Sequence, residues 1–516
     1  MEFVKRHSSL PLFFIINVFI LGQILLTEMN AIDKLTIFFA MLLTAMAITT
    51  RYIYAIFAIY LALLTSVMVH VHANWGDDFI GARFETMLES PITEMSEYLS
   101  TFVGLADVTN FLHLIVSLAL IIYVFRRKSK VTGLEKKCSV AFLILSIPVF
   151  GFLYFYKFER FFFYMPVNVT GQLIDIYNRS NQKALRQEFL EANHLTSRTC
   201  AVDYSNIVII LGESATRDRM GIYGYEKDTT PFLNSHDRIQ FDAIAPANLT
   251  RYSVPMLLTD ANVENFDAFF ESHSVLASLN SCGYETYWVS NQGQMGIADT
   301  YNASIGQEAD QVIYLNEGDF TDANEDGVVL EEFEKLLTHA SNKKAFVIHL
   351  MGSHFNYKER YPAEFNIFGD EKISQQYDNS IYYNDYILSQ INGLVKDPNS
   401  IFLYVSDHGE VLDDMGDLMG HGLYPSFQEE YRVPFVVWSK DVIDENRQKL
   451  DHLQDISREK TLNLESFKSF VEYLIGYNSE PALSYNDNIV AVIPLNVEKY
   501  SELKTFSTSK ELPPKN

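Results

Sequence analysis

Five long apolar stretches lie within the first 156 residues, and they constrain the fold more than any other feature of the chain. They cover residues 10–29, 35–50, 52–72, 105–125 and 138–156. A helix needs about 20 mostly apolar residues to cross the hydrocarbon layer of a bilayer. One or two of the stretches could instead be core helices of a soluble domain. Five of them in so short a segment predict a five-helix transmembrane domain over residues 1–156.

Basic residues predict the orientation of these spans. Lys5 and Arg6 precede the first span, Arg51 lies between the second and third, and the basic run 126–137 separates the fourth and fifth. Cytoplasmic loops carry the excess of lysine and arginine in membrane proteins. Five spans with a cytoplasmic N-terminus put all these residues on one side. The odd number of spans then places everything after about residue 157 on the opposite side.

The charge of the chain is concentrated in the part that follows the spans. The net charge is −25, yet residues 1–156 hold 11 basic and 11 acidic side chains, and the remainder holds 29 against 54. Nucleic-acid binding needs a basic surface, so we expect no DNA or RNA partner. We predict a linker over residues 157–199 and an acidic soluble domain over residues 200–516.

The cysteines give little indication of a metal site or of a disulfide scaffold. Cys138, Cys200 and Cys282 are the three cysteines, and none forms a CxxC pair. Cys200 and Cys282 could form a disulfide only if the fold brings them together, which the sequence does not decide.

The soluble region alternates short apolar runs with longer amphipathic stretches, which predicts an α/β domain with a mainly parallel sheet. Ligands bind at the carboxyl ends of the strands in such sheets. The sequence turns polar at three of these ends. Glu213 follows "VIILG", His354 follows "IHLMGS", and Asp407 and His408 follow "FLYVS".

Each of these polar residues also has a purely structural interpretation. Glu213 could interact with the dipole of a following helix, His354 could be an ordinary loop histidine, and Asp407 could cap a helix. Taken together, oxygen and nitrogen ligands at three strand ends of one sheet predict a metal site instead. Carboxylate and imidazole without thiolate suit zinc, with manganese as the second choice.

A reactive hydroxyl is predicted in the segment "APANLTRYSVPMLLT", residues 245–259. Thr250 and Ser253 lie where a loop becomes a helix, and Pro255 is acceptable there only in a first helical turn. A hydroxyl at this place is often only a cap. The same place suits a nucleophile that carries phosphate, because a helix N-terminus favours the anion and a bound metal acidifies the hydroxyl.

The ordered set of these motifs resembles the bacterial phosphoethanolamine transferases, which belong to the alkaline phosphatase/sulfatase superfamily. The resemblance implies a transmembrane domain of five helices followed by an α/β sulfatase-like soluble domain. The segments that carry it are "GESATRDRMGIYGYEKDTTPFL" (212–233), "TRYSVPMLL" (250–258), "HLMGSHFNYKERYP" (349–362), "YDNSIYYNDYILSQI" (377–391) and "YVSDHGE" followed by "GHG" (404–422).

The resemblance also assigns expected roles to residues of this sequence. It implies that Glu213, Asp407 and His408 bind the metal, and that Thr250 is both nucleophile and fourth ligand. The remaining expected site residues are histidines with catalytic or phosphate-binding roles and polar residues that bind substrate: His354, His421, His349, Asn291, Gln292 and Glu410.

The function that the resemblance implies is transfer of phosphoethanolamine from phosphatidylethanolamine to lipopolysaccharide, on lipid A or a core sugar. A covalent intermediate would form on zinc-bound Thr250. The protein would be a multi-pass monomer of the inner membrane, in contact with membrane lipid, with its catalytic domain in the periplasm. Alternatives are a phosphoglycerol transferase that uses manganese, a membrane-anchored phosphatase or phosphodiesterase, and a non-catalytic envelope protein that keeps the fold.

Two further motifs are set aside. The stretch 322–333 begins like a calcium-binding loop, but its twelfth position is Phe333 rather than glutamate. The segment around Ser253 resembles the maturation site of sulfatases but has Leu257 where that site has arginine. We therefore expect neither calcium binding nor true sulfatase activity.

Overall fold

The computed structural model describes residues 186–506, together with scattered positions between 59 and 122. Within 186–506 it leaves out 203, 293–300, 316–324, 416–418, 424–425, 441–443, 460, 479–481, 484–488 and 493–495. The five predicted spans and most of the predicted linker lie outside the described residues. Among the residues that are described, no helix has both the length and the apolar character needed to cross a bilayer.

The chain divides into two compact units. One consists of Met1–Leu88 with Tyr98–Asn178, and the other of Glu89–Glu97 with Arg179–Asn516. Nearly all described residues belong to the second unit. The boundaries predicted for the transmembrane domain, the linker and the soluble domain stay predictions.

The second unit is built on a mixed sheet that is almost entirely parallel. Its described strands are β1 (Asn206–Gly212), β2 (Ile239–Ile244), β3 (Glu285–Ser290), β4 (Gln311–Tyr314), β5 (Lys344–His349), β6 (Ser400–Ser406), β7 (Arg432–Ser439) and β8 (Leu462–Asn463). They form one sheet in the order β4-β3-β5-β1-β6-β7-β2-β8, in which only β7 pairs antiparallel with both neighbours. A separate antiparallel pair follows, β9 (Ile489–Val492) with β10 (Asn496–Lys499).

Helices lie between the strands along the chain, as the alternating pattern of the sequence predicts. The α-helices are α1 (Pro231–Ser235), α2 (Thr250–Leu258), α3 (Val275–Ser281), α4 (Tyr301–Gly306), α5 (Val328–Leu337), α6 (Ile373–Leu394), α7 (Asp444–Glu459) and α8 (Phe467–Leu474). Short 3-10 turns occur at Arg217–Arg219, Gly221–Tyr223, Phe266–Glu271, Tyr357–Arg360, Ala363–Phe365, Gln428–Glu430, Leu464–Ser466 and Tyr500–Glu502. A further helix at 186–192 precedes the sheet.

Both faces of the sheet are covered by helices, which explains why the central strands are apolar without alternation. On one face, Val208 and Ile210 of β1 share a buried core with Phe333 of α5 and with Tyr377 and Ile381 of α6. All seven positions of β1 are buried. The prediction of an α/β domain with a mainly parallel sheet is confirmed.

Aromatic rings pack α8 onto the opposite side of the sheet. The Phe470 ring lies 5.3 Å from the ring of Phe241 in β2 and 4.8 Å from that of Phe435 in β7. Helix α2 contacts α8 and α4. The helix that begins with Thr250 is therefore supported by packing along its length, which fixes where its first residue lies.

Helix α2 starts where the sequence predicts, but its proline is deeper than expected. The helix begins at Thr250, with Leu249 as its N-cap residue, and Pro255 is its sixth residue. The expectation that Pro255 would lie in the first turn is wrong. Pro255 is buried, and in the second turn it leaves the helix one backbone hydrogen bond short, because proline has no N–H.

Cys200 and Cys282 form a disulfide, a question that the sequence left open. Their Cα atoms are 5.4 Å apart, and 82 positions separate them along the chain. The bond joins the segment before β1 to the end of α3. Arg186 adds a second attachment, because its buried guanidinium donates to the Ser272 carbonyl at 2.9 Å and pairs with Glu308.

Candidate active site

Three adjacent strands bring the predicted polar residues to one edge of the sheet. Strands β5 and β6 flank β1, and Gly212 pairs with Ser406 in the last register position of β1 and β6. Glu213 and Asp407 are the next residues of the two strands. Their carboxylates therefore emerge side by side, although 194 positions separate them along the chain.

The hydroxyl of Thr250 points into the space between these strand ends. Its oxygen lies 3.1 Å from Oε2 of Glu213, 3.3 Å from Oε1 of the same residue, and 3.1 Å from Nε2 of His408. His408 Nε2 is itself 3.3 Å from Glu213 Oε1 and 3.5 Å from Asp407 Oδ2. The four residues that the sequence analysis assigned to the metal site thus meet at one point.

The donor set at this point fits a small divalent cation. His408 Nδ1 lies 3.0 Å from the carbonyl oxygen of Gly409, so this nitrogen carries the proton and leaves Nε2 facing the two carboxylates. Asp407 Oδ2 is buried and accepts no hydrogen bond. Buried carboxylate oxygens are normally satisfied, so an unsatisfied one among converging ligands indicates a cation. Glu213, Asp407 and His408 offer ligand atoms within 4.8 Å of one another.

The electrostatics of the site support the same interpretation. Burial and the nearby Glu213 carboxylate raise the pKa of Asp407 to about 7. Burial lowers the pKa of His408, but the carboxylates of Asp407 and Glu213 outweigh it and raise this pKa to about 10. Burial also works against ionisation of Glu213, yet the hydrogen bond and charge of His408 hold its pKa well below the usual range. The two buried carboxylates of Glu213 and Asp407 therefore need a positive charge beside them, which a proton on His408 or a bound cation can supply.

The capping interpretations of Glu213, Asp407 and Thr250 do not hold in the described fold. The segment after Asp407 is a loop, so this residue caps no helix. The 3-10 turn after Glu213 is capped by Thr216, whose side chain accepts the Asp218 N–H. Leu249 occupies the N-cap position of α2, which leaves the Thr250 hydroxyl to contact Glu213 and His408.

His421 and Glu410 form a second pair beside the first group. His421 Nδ1 lies 2.8 Å from Glu410 Oε2, and the His421 ring centroid is 4.1 Å from that of His408. Tyr357 donates its hydroxyl to the other oxygen of Glu410 at 2.8 Å. The fully buried Glu410 therefore orients His421 rather than facing open space. His408, Glu410 and His421 are also a second group whose ligand atoms lie close enough to hold a metal.

The other two predicted histidines lie at different depths. His349 is the last residue of β5 and is buried, with Nδ1 3.2 Å from Ser290 Oγ and with Nε2 unpaired. Burial lowers the pKa of His349 to about 4, so this ring is neutral near pH 7. His354 lies in the loop after β5 and is partly exposed, and its charge acts on Glu213.

The two predicted substrate-binding amides occupy the end of β3, next to β5. Gln292 donates to Glu213 Oε2 at 3.2 Å and to the Leu350 carbonyl at 2.9 Å, so its side chain reaches the candidate metal ligands. Asn291 is buried and donates to Asp326 Oδ1 at 2.9 Å. Asn291 therefore supports the neighbouring loop, whereas Gln292 borders the site itself.

Sequence reasoning missed several buried residues that hold the loops of the site. In the sequence, Asp326 is marked only as part of the calcium-like stretch 322–333. In the structure its carboxylate accepts the N–H groups of Met351 and Gly352, both at 2.8 Å. Gly352 has φ +58°, and a Cβ there would lie 2.7 Å from backbone atoms of Glu213. In the sequence, Asp326 is only an acidic residue before a predicted helix, which does not indicate its contact with the loop at Met351 and Gly352.

Glu430 is a second residue that sequence reasoning missed. Its buried carboxylate accepts the Asn248 side-chain amide and the Leu423 N–H, each at 2.8 Å, and the Phe427 N–H at 2.7 Å. Its carbonyl oxygen accepts the Gly409 N–H at 2.7 Å. These bonds connect the loops that carry Thr250, His421 and His408. The two adjacent acids in "QEEYR" are typical of a solvent-exposed charged stretch, so the sequence does not predict that Glu430 is buried or that it connects these loops.

The fold and the site define a sulfatase-like α/β domain with a candidate metal centre at the carboxyl ends of its strands. Residues 205–459 match the family model described as Sulfatase. The phosphoethanolamine transferase EptC of Escherichia coli K12 is 29% identical over 283 residues, which cover 50% of this chain and 48% of the relative. This confirms the resemblance to phosphoethanolamine transferases that the ordered motifs predict.

Solved structures show the same fold. The zinc complex of the C-terminal periplasmic domain of E. coli EptC covers 60% of this chain and 98% of its own, with 23% identity and a TM-score of 0.52. The integral membrane lipooligosaccharide phosphoethanolamine transferase A of Neisseria meningitidis covers 92% of this chain and 94% of its own, with 16% identity and a TM-score of 0.63. The chain spans about half the length of the curated relatives it matches, so its donor and acceptor are matters of proposal.

Proposed function

We propose that this protein transfers phosphoethanolamine from phosphatidylethanolamine to a lipopolysaccharide acceptor through a covalent intermediate on Thr250. The observation that carries the proposal is the position of one hydroxyl. Thr250 Oγ1 lies 3.1 Å from both Glu213 Oε2 and His408 Nε2, at the edge of the sheet where Asp407 also ends. A threonine that served only to start a helix would have no reason to contact a buried carboxylate and a buried imidazole.

Glu213, Asp407 and His408 would hold a zinc ion together with Thr250, and manganese is the second choice. When bound, the cation would acidify the hydroxyl and offset negative charge on the phosphoryl oxygens. Helix α2 contributes the positive end of its dipole at Thr250, which favours a phosphoryl group there. Gln292 holds Glu213 from the side of β3, so the carboxylate keeps one orientation.

The reaction would proceed in two displacements at phosphorus. In the first, Thr250 Oγ1 loses its proton and bonds to phosphorus, while the bond from phosphorus to the glycerol oxygen breaks. Diacylglycerol leaves with the electron pair and takes up a proton. In the second, an acceptor oxygen loses its proton and bonds to phosphorus, the bond to Thr250 breaks, and the Thr250 hydroxyl is restored.

His421 is the best-supported group for the proton transfers. Glu410 accepts from Nδ1, which fixes the ring and leaves Nε2 to exchange a proton. Burial and the charge of His408 lower the pKa of His421, although Glu410 opposes this. A neutral imidazole near pH 7 suits removal of a proton from the acceptor. His354 is the alternative, because it is partly exposed and close enough to influence Glu213.

The predicted membrane spans would place this site where a lipid donor can reach it. We propose an inner-membrane protein with the catalytic domain in the periplasm, acting as a monomer. The apolar stretches of residues 1–156 and the positions of their basic residues support this topology. The disulfide between Cys200 and Cys282 supports an oxidising compartment for the second unit.

The test is mass spectrometry of lipopolysaccharide from cells that express the wild type, Thr250→Ala or Thr259→Ala. Thr259 is the matched control, since it is a buried threonine at the other end of α2 whose hydroxyl bonds only within that region. A phosphoethanolamine increment with the wild type and the control, and none with Thr250→Ala, is expected. An increment that persists in Thr250→Ala contradicts the proposal.

Assays on purified protein separate the alternatives. Phosphatidylethanolamine and phosphatidylglycerol are compared as donors, with and without acceptor. Preference for phosphatidylglycerol indicates a phosphoglycerol transferase. Turnover of soluble phosphomonoesters without acceptor that is comparable to turnover of the lipid donors indicates a phosphatase or phosphodiesterase. A Thr250→Ala variant with the wild-type phenotype indicates a non-catalytic protein.

A further inference from the structure

Ser214 adopts a backbone conformation that a serine rarely takes. Its φ is +55°, and Asn356 is the only other non-glycine residue with positive φ in the described part of the chain. Side chains of L-residues crowd the backbone in this left-handed region, so glycine is the usual choice. Strained residues persist where the surroundings hold them, and they concentrate at functional sites. Ser214 directly follows Glu213, a residue of the candidate metal centre.

The polar groups of Ser214 contact both carboxylates of the candidate metal centre. Its N–H donates to Asp407 Oδ1 at 3.1 Å, and its hydroxyl donates to Glu213 Oε1 at 2.8 Å. The residue is completely buried, so water does not compete for these bonds. One residue therefore bridges the ends of β1 and β6. Ser214 donates a hydrogen bond to one oxygen of each carboxylate. The other two oxygens, Glu213 Oε2 and Asp407 Oδ2, are not bonded to Ser214 and stay available to a cation.

Tyr377 holds Ser214 in this conformation. The Tyr377 hydroxyl donates to the Ser214 carbonyl at 2.5 Å and accepts the Thr216 N–H at 2.8 Å, so it clamps the turn from both sides. The Tyr377 ring is buried and packs edge-on against Tyr357 at 5.0 Å. The strained turn is thus fixed by helix α6 rather than by its own sequence.

We propose that Ser214 is a positioning residue that orients Glu213 and Asp407 for metal binding. This inference rests on the proposed metal centre and adds to it the residue that builds its geometry. Groups that hydrogen-bond to metal ligands fix the direction of the ligand lone pairs and thereby raise metal affinity. The positive φ is the conformation in which the amide and the hydroxyl of one residue reach two carboxylates from different strands. The strain is retained because both bonds are needed together.

Two substitutions separate this role from ordinary packing. Ser214→Ala removes the hydroxyl and keeps the strained backbone. Ser214→Gly also removes the hydroxyl but relieves the strain, because glycine adopts positive φ readily. A purely structural serine predicts that metal affinity and thermal stability change in parallel. A positioning serine predicts that Ser214→Gly melts at a higher temperature than Ser214→Ala while both bind zinc more weakly than the wild type.

The experiment is a zinc titration of the purified full-length protein in detergent, after metal removal, against a competing fluorescent chelator. Both Ser214 variants are expected to bind zinc about 10- to 100-fold more weakly than the wild type. The matched control is Ser281→Ala, a buried serine of α3 whose hydroxyl donates to the Ser278 carbonyl. Its zinc affinity is expected to equal that of the wild type. Melting temperatures of the metal-free proteins are measured in parallel.

Each outcome decides one question. If the wild type binds zinc and both Ser214 variants bind it equally well, the inference about Ser214 is wrong and the metal centre stands. If the wild type binds no zinc, the metal centre itself is wrong, and this inference falls with it. If the Ser214 variants do not fold, Tyr377→Phe replaces them, because it removes the clamp and keeps the ring. Weaker zinc binding in Tyr377→Phe then supports the inference, and unchanged binding overturns it.

Discussion

The hydroxyl oxygen of Thr250 lies 3.1 Å from Nε2 of His408, although 158 positions separate the two residues in the chain. The first residue of α2 and the loop after β6 are brought together by the sheet and by the packing of α2 against α4 and α8. The contact joins the proposed nucleophile to a proposed metal ligand, so small changes at either residue test the chemistry of the site.

The Thr250 hydroxyl is expected to be essential for transfer. Thr250→Val keeps the shape of the side chain and removes the nucleophile, so donor turnover should fall by a factor on the order of 10³ or more. Thr250→Ser keeps the hydroxyl and should retain measurable turnover. Release of diacylglycerol from phosphatidylethanolamine measures both. Equal activity of the valine and serine variants would mean that the hydroxyl takes no part.

Removal of the metal should abolish activity reversibly, and loss of one proposed metal ligand should weaken metal binding. Asp407 Oδ2 is buried without a hydrogen bond, so Asp407→Asn would remove a charge that no other group replaces. Zinc affinity, measured by chelator competition, should fall by at least about 100-fold, because loss of a direct ligand exceeds the loss of an outer partner. Asp413→Asn is the control, since Asp413 lies nearby and accepts the Ser374 N–H. Comparable losses in both variants would show that general loop disruption is the cause.

The carboxylate of Glu410 should tune His421. Glu410 opposes the lowering of the His421 pKa, so Glu410→Gln is expected to lower this pKa further. If His421 must be neutral, the acidic limb of the pH profile of kcat/KM moves to lower pH, and the rate falls by about 10²-fold or more because the ring loses its orientation. Tyr357→Phe is the control, since it removes the other bond to Glu410 and keeps the charge. An acidic limb that stays in place, or moves to higher pH, contradicts the assignment.

Buried His349 should make the fold sensitive to acid. Burial holds its pKa at about 4, below the ordinary value of about 6.5, so the folded protein keeps this ring neutral. The neutral His349 ring contributes its full stabilisation above about pH 6.5. This stabilisation is lost as the pH falls towards 4, because the unfolded chain takes up a proton that the folded protein does not. The shift corresponds to about 3 kcal/mol. The free energy of unfolding of the wild type should therefore decrease relative to His349→Gln over this range, measured by denaturant titration. A constant difference between the two proteins would exclude the linkage.

Loss of the disulfide should destabilise the second unit. Cys200 and Cys282 close a loop of 82 positions, and chain-entropy arguments give about 4 kcal/mol for a loop of this length. The double serine variant should melt at a lower temperature than the wild type. Alkylation of the unfolded, non-reduced wild type should label one cysteine per chain, and reduction should expose all three. Labelling of three cysteines before reduction would show that the bond does not form.

The chemistry of the site was largely readable from the sequence, because apolar strands that end in acids and histidines are distinctive. Glu213, Asp407 and His408 each follow a run of buried, mostly apolar residues, and parallel strands bring such ends to one edge. The predicted helix start marks both Thr250 and Ser253, and the resemblance to phosphoethanolamine transferases selects Thr250. The pattern placed Pro255 in a first turn, whereas it lies in the second turn of α2, where the helix lacks one backbone hydrogen bond.

Tertiary structure alone decided which residues hold this chemistry in place. The order β5-β1-β6 puts Glu213 beside Asp407, and nothing in the local sequence fixes that order. Ser214, Asp326 and Glu430 act through hydrogen bonds to segments far away in the chain, so no local periodicity marks them. The sequence determined the residue types and the strand ends, since burial and backbone preference are local properties. The contacts that orient these residues arise only when the sheet assembles, because they depend on distances between segments that are remote in sequence.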